Sequence, residues 1–413
     1  MPSHTGEVTK CQICSSGKLE PILSLGHQPV VQEYLTSRGL HAPEATYPLH
    51  LCLCTKCGLL QLDYIVPPEL VFPKNYPYRT GLTNMLVRNF LSLRDTLMRK
   101  GLVKTGELII DIGSNDGTLL KGFKEAGMRV LGVEPTDSAK AANKAGIPTI
   151  QEFLGGKTVA NIVKRHGRAK IITATNVFAH INNAPELMKN IKALMDDDAV
   201  FVSESQYLMD IVEKLEFDTV YHEHLRFYSL KPLIYFMKSA GCTLFDAERI
   251  GAAGGSIRAY AKKGTHSRSK GMKELLAEET RAGLHDVNTL RKFADRVTGV
   301  KHELLALLLA CRKKGRIAAI GSPARSNTLL GFCRIDEQLI EYAGEKAGSP
   351  KIGLYTPGMH IPVVLEDKLL KEQPPYCLIL SWHIGNELVD ILRKRGYKGK
   401  CIIPLPHPRV VER

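Results

Sequence analysis

Within residues 82–100, LTNMLVRNFLSLRDTLMRK, the apolar groups at 82, 85, 86, 90, 93 and 97 have helical spacing. Steps of three and four predict an amphipathic helix. The period then changes. LIIDI at 108–112 is apolar except for one acid, which predicts a strand buried on both faces. A glycine turn, GSNDG, and a helical stretch follow, and a second apolar run at 130–133 stops at Glu134. Strand, turn, helix and strand make one βαβ unit. KIITAT at 170–175 and AVFVSES at 199–205 predict the next two strands. Residues 268–312 predict a long helical stretch of mixed charge. Strand, glycine turn and helix recur in GRIAAIGSPARSNTLLGF at 315–332, with further strands expected at 352–364, 376–381 and 400–404. Residues 1–70 show few long periodic segments. The pattern predicts an α/β protein in three parts: a small module at 1–75, an open-sheet domain at 76–265, and a helical connection with a second Rossmann-like domain at 266–413.

Cysteine spacing changes the reading of the first part. Four of the ten cysteines form two C-x2-C pairs, Cys11 with Cys14 and Cys54 with Cys57. Each pair offers two thiolates from one tight turn, and two such pairs suit one tetrahedral zinc ion. Cys52 is an alternative ligand, at the less usual C-x-C spacing. Four thiolates leave no open coordination position, so this zinc is expected to be structural.

Composition adds limits. The chain has 413 residues, 44% hydrophobic and 24% charged, which suits a soluble globular protein. No apolar run is long enough to span a membrane, and MPSHTGEVTK has no secretory h-region, so a cytoplasmic location is expected. Lys and Arg total 56 against 42 Asp and Glu, a net charge of +14 that favours an anionic partner. The basic runs RKKGR and RKRGYKGK are short and scattered, which argues against nucleic acid. A monomer or weak homodimer is expected.

The first glycine turn indicates a cofactor. Gly113 and Gly117 let the backbone approach a ligand closely, and Asn115 lies between them. Glu134, after the second strand, suits the two hydroxyls of a ribose. The turn lacks G-x-G-x-x-G and carries Asp111 and Asp116, which suit a cationic ligand without phosphate. S-adenosylmethionine is such a ligand, and the expected core is that of a class I methyltransferase. Asn176 follows the next strand and is assigned to the same ligand. A flavodoxin-like domain without this cofactor is the alternative. In the second glycine turn, Ser322, Arg325 and Asn327 near a helix N-terminus are candidates for a phosphate.

The densest chemistry is in FDTVYHEHLRFYSL at 217–230. Tyr221, His222, Glu223, His224 and Tyr228 put five proton-handling groups in one short segment. His180, Asn176 and Glu204 also lie at or beyond strand carboxyl ends, where open α/β sheets bind ligands. A base, its orienting partner and hydrogen-bond donors are the parts needed to make a carbon nucleophile beside a ketone. One alternative is a cation held by His222 and His224. Others are a zinc-ribbon RNA methyltransferase, which lacks its expected N-P-P-[YF] element here, and a non-enzymatic binding protein.

IDIGSNDGTLL, NVFAHI, EKLEFDTVYHEHLRFYSL, GGSIRAY, GSPARSNTLLGF and GLYTPGMHIP, with the paired C-x2-C, resemble the nucleotide-sugar C-methyltransferases. The likeness runs from Cys11 into the C-terminal domain. It is strongest to sugar C-3-methyltransferases that act on nucleoside-diphosphate 4-keto-deoxyhexoses. It implies a zinc module, a cofactor domain and a C-terminal domain that helps hold the sugar nucleotide. It implies that His224 is the base, that Tyr221 and Glu223 surround the sugar, and that His180 faces the substrate. Tyr76, Tyr78 and Arg258 are further candidates for substrate contact. The chain departs from the family at LGHQPVVQEYL, at AGEKAGSPKIGLYTPGMHIP, and at Trp382-His383 in place of a Trp-Asn pair. These departures fall where sugar or nucleotide contacts are expected; a non-sugar keto substrate is the alternative.

Overall fold

The computed structural model describes residues 5–73, 81 and 84–412. Tyr76 and Tyr78 lie outside the described residues. The first part holds β1 (Gly6–Glu7), β2 (Leu19–Gln28), β3 (Tyr47–Cys54), β4 (Leu60–Leu62) and β5 (Tyr64–Ile65). The module is thus more regular than its sequence pattern suggests. Register shifts between Pro21 and Leu23 and between Ser24 and His27 interrupt the side-chain alternation of β2.

The helix Asn84–Arg99 leads into the central domain, with β6 (Leu108–Ile112), β7 (Arg129–Val133), β8 (Thr149–Ile150), β9 (Ala169–Thr175) and β10 (Met195–Gln206). After the short β11 (Arg226–Phe227) come β12 (Cys242–Ile250) and β13 (Ser256–Lys263). The large sheet runs β12-β13-β10-β9-β6-β7-β8. From β6 the chain winds one way through β7 and β8, then the other way through β9 and β10. The crevice beyond the carboxyl ends of β6 and β9 is therefore the topological switch point.

β11 does not join that sheet. It pairs antiparallel with β4, Arg226 against Gln61 and Phe227 against Leu60. The smaller sheet is β11-β4-β3-β2, so the histidine-rich segment ends as an edge strand of the cysteine module. Apolar packing ties Tyr228, the residue just after β11, back to the large sheet. Phe178, which precedes the His180 turn, has ring centroids 5.4 Å from Phe201, 5.4 Å from Tyr228 and 5.8 Å from Phe236. Such pairs contribute about 0.5–1.5 kcal/mol each beyond the area they bury.

The stretch 268–312 is two helices, Lys270–Arg281 and Val287–Arg312. Gly283, at φ +63, turns the chain between them, and Asp286 caps the second through Thr289 N at 2.8 Å. The third sheet contains β14 (Ile317–Ile320), β15 (Ala343–Glu345), β16 (Val363–Leu365), β17 (Tyr376–Ile379), β18 (Lys400–Ile403) and β19 (Arg409–Val411), in the order β16-β15-β14-β17-β18-β19. The strand expected at 352–364 is mostly turns, with Gly353 and Gly358 at positive φ, and only its end joins β16. β15 is three residues long, too short to carry a period, and sequence reading missed it.

Candidate active site

At the switch point of the large sheet, Gly113 sits at φ +69 and donates its N–H to Val133 O at 2.8 Å. A Cβ there would come within 2.4 Å of Val177 Cγ2, so only glycine leaves this backbone bare. Asn115 and Asn176 also adopt positive φ, at 49° and 56°. Glu134 is buried. One of its oxygens accepts from Thr136 N and Oγ1 at 2.8 and 2.6 Å, and the other accepts from Asn115 N at 3.1 Å. Asp116 is held by Thr118 Oγ1 at 2.6 Å and by Gly81 N at 2.9 Å. Asp111 is buried beneath the turn and accepts from Thr173 Oγ1 at 2.6 Å; burial, with Glu134 nearby, pushes its pKa up to about 7. Gly117, at φ +79, packs against Ile147 and Ala142. A bare glycine turn beside a fixed acid at the next strand's end fits a ligand with a ribose and a cationic group. These residues would hold S-adenosylmethionine.

The histidines gather at the same end of the sheet. The His180 and His224 rings stack with centroids 4.8 Å apart, and the Tyr221 ring lies 3.9 Å from His224. Phe72 stacks on the far face of this group, 5.9 Å from His180. His224 Nδ1 lies 2.6 Å from Thr219 O. A carbonyl only accepts, so Nδ1 carries the proton and Nε2 carries the lone pair. Burial holds the His224 pKa down to about 4, so the ring is neutral at ordinary pH. Burial, with His224 and Arg226 adding to it, also holds His180 well below the usual histidine range. His222 faces the other way: its Nε2 lies 3.2 Å from Pro48 O and its ring packs edge-on against Tyr47. Among the described residues, no group of three or more metal-ligating side chains includes His222 or His224. Glu223 is buried in the same segment.

In the cysteine module, the four sulfurs of Cys11, Cys14, Cys54 and Cys57 lie within 4.8 Å of one another. Cys11 and Cys57 are 3.6 Å apart, and Cys14 and Cys54 are 3.5 Å apart. Four sulfurs at about 2.3 Å from one zinc have this spacing. Cys52 lies outside the cluster, with its sulfur 3.6 Å from Gln61 O. The module binds a structural zinc ion.

Other candidates have protein partners. Arg258 is buried and paired with Glu204 at 3.0 Å and Asn89 Oδ1 at 2.8 Å, so its guanidinium locks β13 to β10. Arg325 grips Asp218 with Nε and Nη2 at 2.8 and 2.7 Å, reaches Glu216 at 3.3 Å, and lies 5.0 Å from the Trp382 ring centroid. Trp382 Nε1 donates to the same Asp218 at 2.7 Å. Arg325 thus anchors the start of the histidine segment to the third domain, a role not visible in its sequence motif. Ser322 and Asn327 meet Tyr34 of the cysteine module, with Ser322 Oγ at 2.8 Å and Asn327 Nδ2 at 3.2 Å. The first two departing segments touch as well, through backbone hydrogen bonds between Leu35 and Tyr355 at 2.8 and 2.9 Å. Arg226 was overlooked. It follows the YHEH motif by two positions, and its partners come from distant segments.

Fold and site together define a methyltransferase that uses S-adenosylmethionine and carries structural zinc. Family models match in chain order: a zinc binding domain at 11–72, a methyltransferase domain at 87–246 and a C-methyltransferase C-terminal domain at 251–406. C-methyltransferase NovU of Streptomyces niveus is 29% identical over 409 residues, covering 98% of this chain and 97% of its own. Two solved structures match less of the chain. One is the magnesium protoporphyrin IX methyltransferase of Synechocystis PCC 6803 with bound SAH, which matches 43% of this chain and 84% of its own at 13% identity and TM-score 0.35. The other is an S-adenosylmethionine-dependent methyltransferase of Clostridium acetobutylicum, which matches 43% and 92% at 11% identity and TM-score 0.34. Along nearly its whole length the chain is similar to a C-methyltransferase, and its central and C-terminal parts match methyltransferase and C-methyltransferase family models. No helix among the described residues is long and apolar enough to cross a membrane.

Proposed function

We propose that the enzyme methylates a carbon beside the ketone of a nucleoside-diphosphate 4-keto sugar, at C-3, in deoxysugar, natural-product or polysaccharide biosynthesis. The observation that carries this reading is the neutral His224, held by Thr219 O so that Nε2 keeps its lone pair. A ketone acidifies the adjacent C–H, and Nε2 takes that proton while the electron pair moves onto the carbonyl oxygen. Hydrogen-bond donors placed at that oxygen stabilise the enolate as its charge develops. His180 and Tyr221, both against the His224 ring, serve as those donors. Glu223 lies in the same buried segment and orients the sugar. Bound S-adenosylmethionine supplies the electrophilic methyl carbon, held by Asp111, Gly113, Asn115, Asp116, Gly117, Glu134 and Asn176. Ser322, Asn327 and Tyr34, where the third domain meets the zinc module, border the region assigned to the nucleotide. The nucleotide-sugar class rests on the resemblance of the sequence motifs, and the C-methylation on the similarity to C-methyltransferase NovU as well. The test is incubation with S-adenosylmethionine and a panel of nucleoside-diphosphate 4-keto sugars. A product with a new carbon–carbon bond next to the ketone supports the reading. Methylation on oxygen or nitrogen, or of non-sugar ketones only, contradicts it.

A further inference from the structure

Arg226 is 1% exposed, and its five N–H donors meet five acceptors, none of them a carboxylate. Nε donates to Tyr228 Oη at 3.0 Å. Nη1 donates to Gln12 Oε1 at 2.8 Å and to Asn182 O at 3.4 Å. Nη2 donates to Phe178 O at 3.0 Å and to Ile181 O. Burying a guanidinium without a counter-charge costs several kcal/mol, so the fork must be fully satisfied to be tolerated here. Three of its acceptors are the carbonyls of residues 178, 181 and 182, which bracket His180.

The fourth acceptor links this loop to the zinc. Gln12 stands between Cys11 and Cys14 inside the metal knuckle. Its backbone N–H donates to Gln61 Oε1 at 2.9 Å, and its Nε2 donates to Leu62 O at 3.3 Å and Leu225 O at 3.2 Å. These contacts fix the amide, so Oε1 can only face Arg226. β11, which carries Arg226, is itself paired with β4.

The geometry points to Gln12 and Arg226 as positioning residues, which transmit the shape of the zinc knuckle to the 178–182 loop and so hold the His180 ring against His224. This inference rests on the proposed role of the histidine pair. It adds that the zinc module orients the active site through one hydrogen-bonded relay. A displacement of about 1 Å at such a site is enough to cost about a hundredfold in rate.

The test uses the full-length zinc-loaded enzyme and Gln12→Met, which keeps the length of the side chain and removes its polar atoms. Zinc content and S-adenosylmethionine affinity should match wild type. Imidazole nitrogen NMR signals of His180 should shift or broaden, while those of the exposed His266 stay fixed. With a keto-sugar substrate, kcat should fall about ten- to a hundredfold with little change in KM. Arg226→Lys, which keeps the charge but not the fork, should give the same pattern and serves if Gln12→Met does not fold. Unchanged His180 signals and unchanged kcat would overturn the inference. So would a loss of kcat only in step with lost zinc or lost cofactor binding. If wild type methylates no keto sugar, the proposed substrate fails, and the His180 signals still decide the relay.

Discussion

His224 differs from a surface histidine in two respects, a fixed tautomer and a lowered pKa. Thr219 O fixes the tautomer, and burial lowers the pKa, with Arg325 adding to it and the Thr219 hydrogen bond opposing it. The sign of the pH dependence follows. A general base works when unprotonated, and this ring stays unprotonated until the pH falls through about 4. The acid limb of kcat/KM should therefore lie well below the value near 6.5 of an unperturbed histidine. A limb near neutrality would show that an ordinary, solvated group sets the rate. Glu134 makes a second residue-scale prediction. Its carboxylate, proposed to hold the ribose, is fixed by Thr136 and Asn115, so Glu134→Ala should weaken S-adenosylmethionine about tenfold or more in calorimetry. Unchanged affinity would place the ribose elsewhere. These two residues were legible in the sequence because the chemistry needs a particular side chain at each. Arg226 and Gln12 were not legible, because Arg226 binds mostly main-chain carbonyls, which leave no trace in residue identity.

At the scale of elements, the histidine segment is a loop pinned at both ends. One end is β11 in the zinc-module sheet, and the other is Asp218 in the grip of Arg325 and Trp382. The Asp218 and Arg325 side chains are both buried, so removing one partner leaves a charge without compensation. Arg325→Ala should destabilise the protein by about 3–5 kcal/mol in denaturant unfolding, far more than an exposed pair would. A loss below about 1 kcal/mol would mean that this contact is peripheral. Four strands of the large sheet, β6, β7, β9 and β10, were legible as largely apolar runs, whereas β8 is only two residues long and β12 and β13 carry charged residues within them and were missed. The strands of the small sheet were not legible, because the register shifts of β2 break its alternation and β11 is only two residues long. The long helical stretch at 268–312 hid its break, since only Gly283 and the capping Asp286 mark it.

For the whole molecule, the zinc module is the piece that touches everything. It completes its sheet with β11, meets the third domain through Tyr34 and Leu35, and reaches the His180 loop through Gln12. Cys11→Ser or Cys54→Ser should remove the zinc, lower the melting temperature and abolish methyl transfer together, since structural zinc contributes directly to folding. A zinc-free variant with the wild-type melting profile would contradict a structural metal. In the proposed function the three parts converge on one act, removal of a proton by His224. Hydrogen–deuterium exchange at the carbon beside the ketone tests this act without requiring methyl transfer. The wild-type enzyme, given the keto-sugar substrate in deuterated water, should exchange that proton. His224→Asn should bind substrate and S-adenosylmethionine and exchange nothing. Exchange and methylation by His224→Asn at near the wild-type rate would contradict the account and move the base to His180.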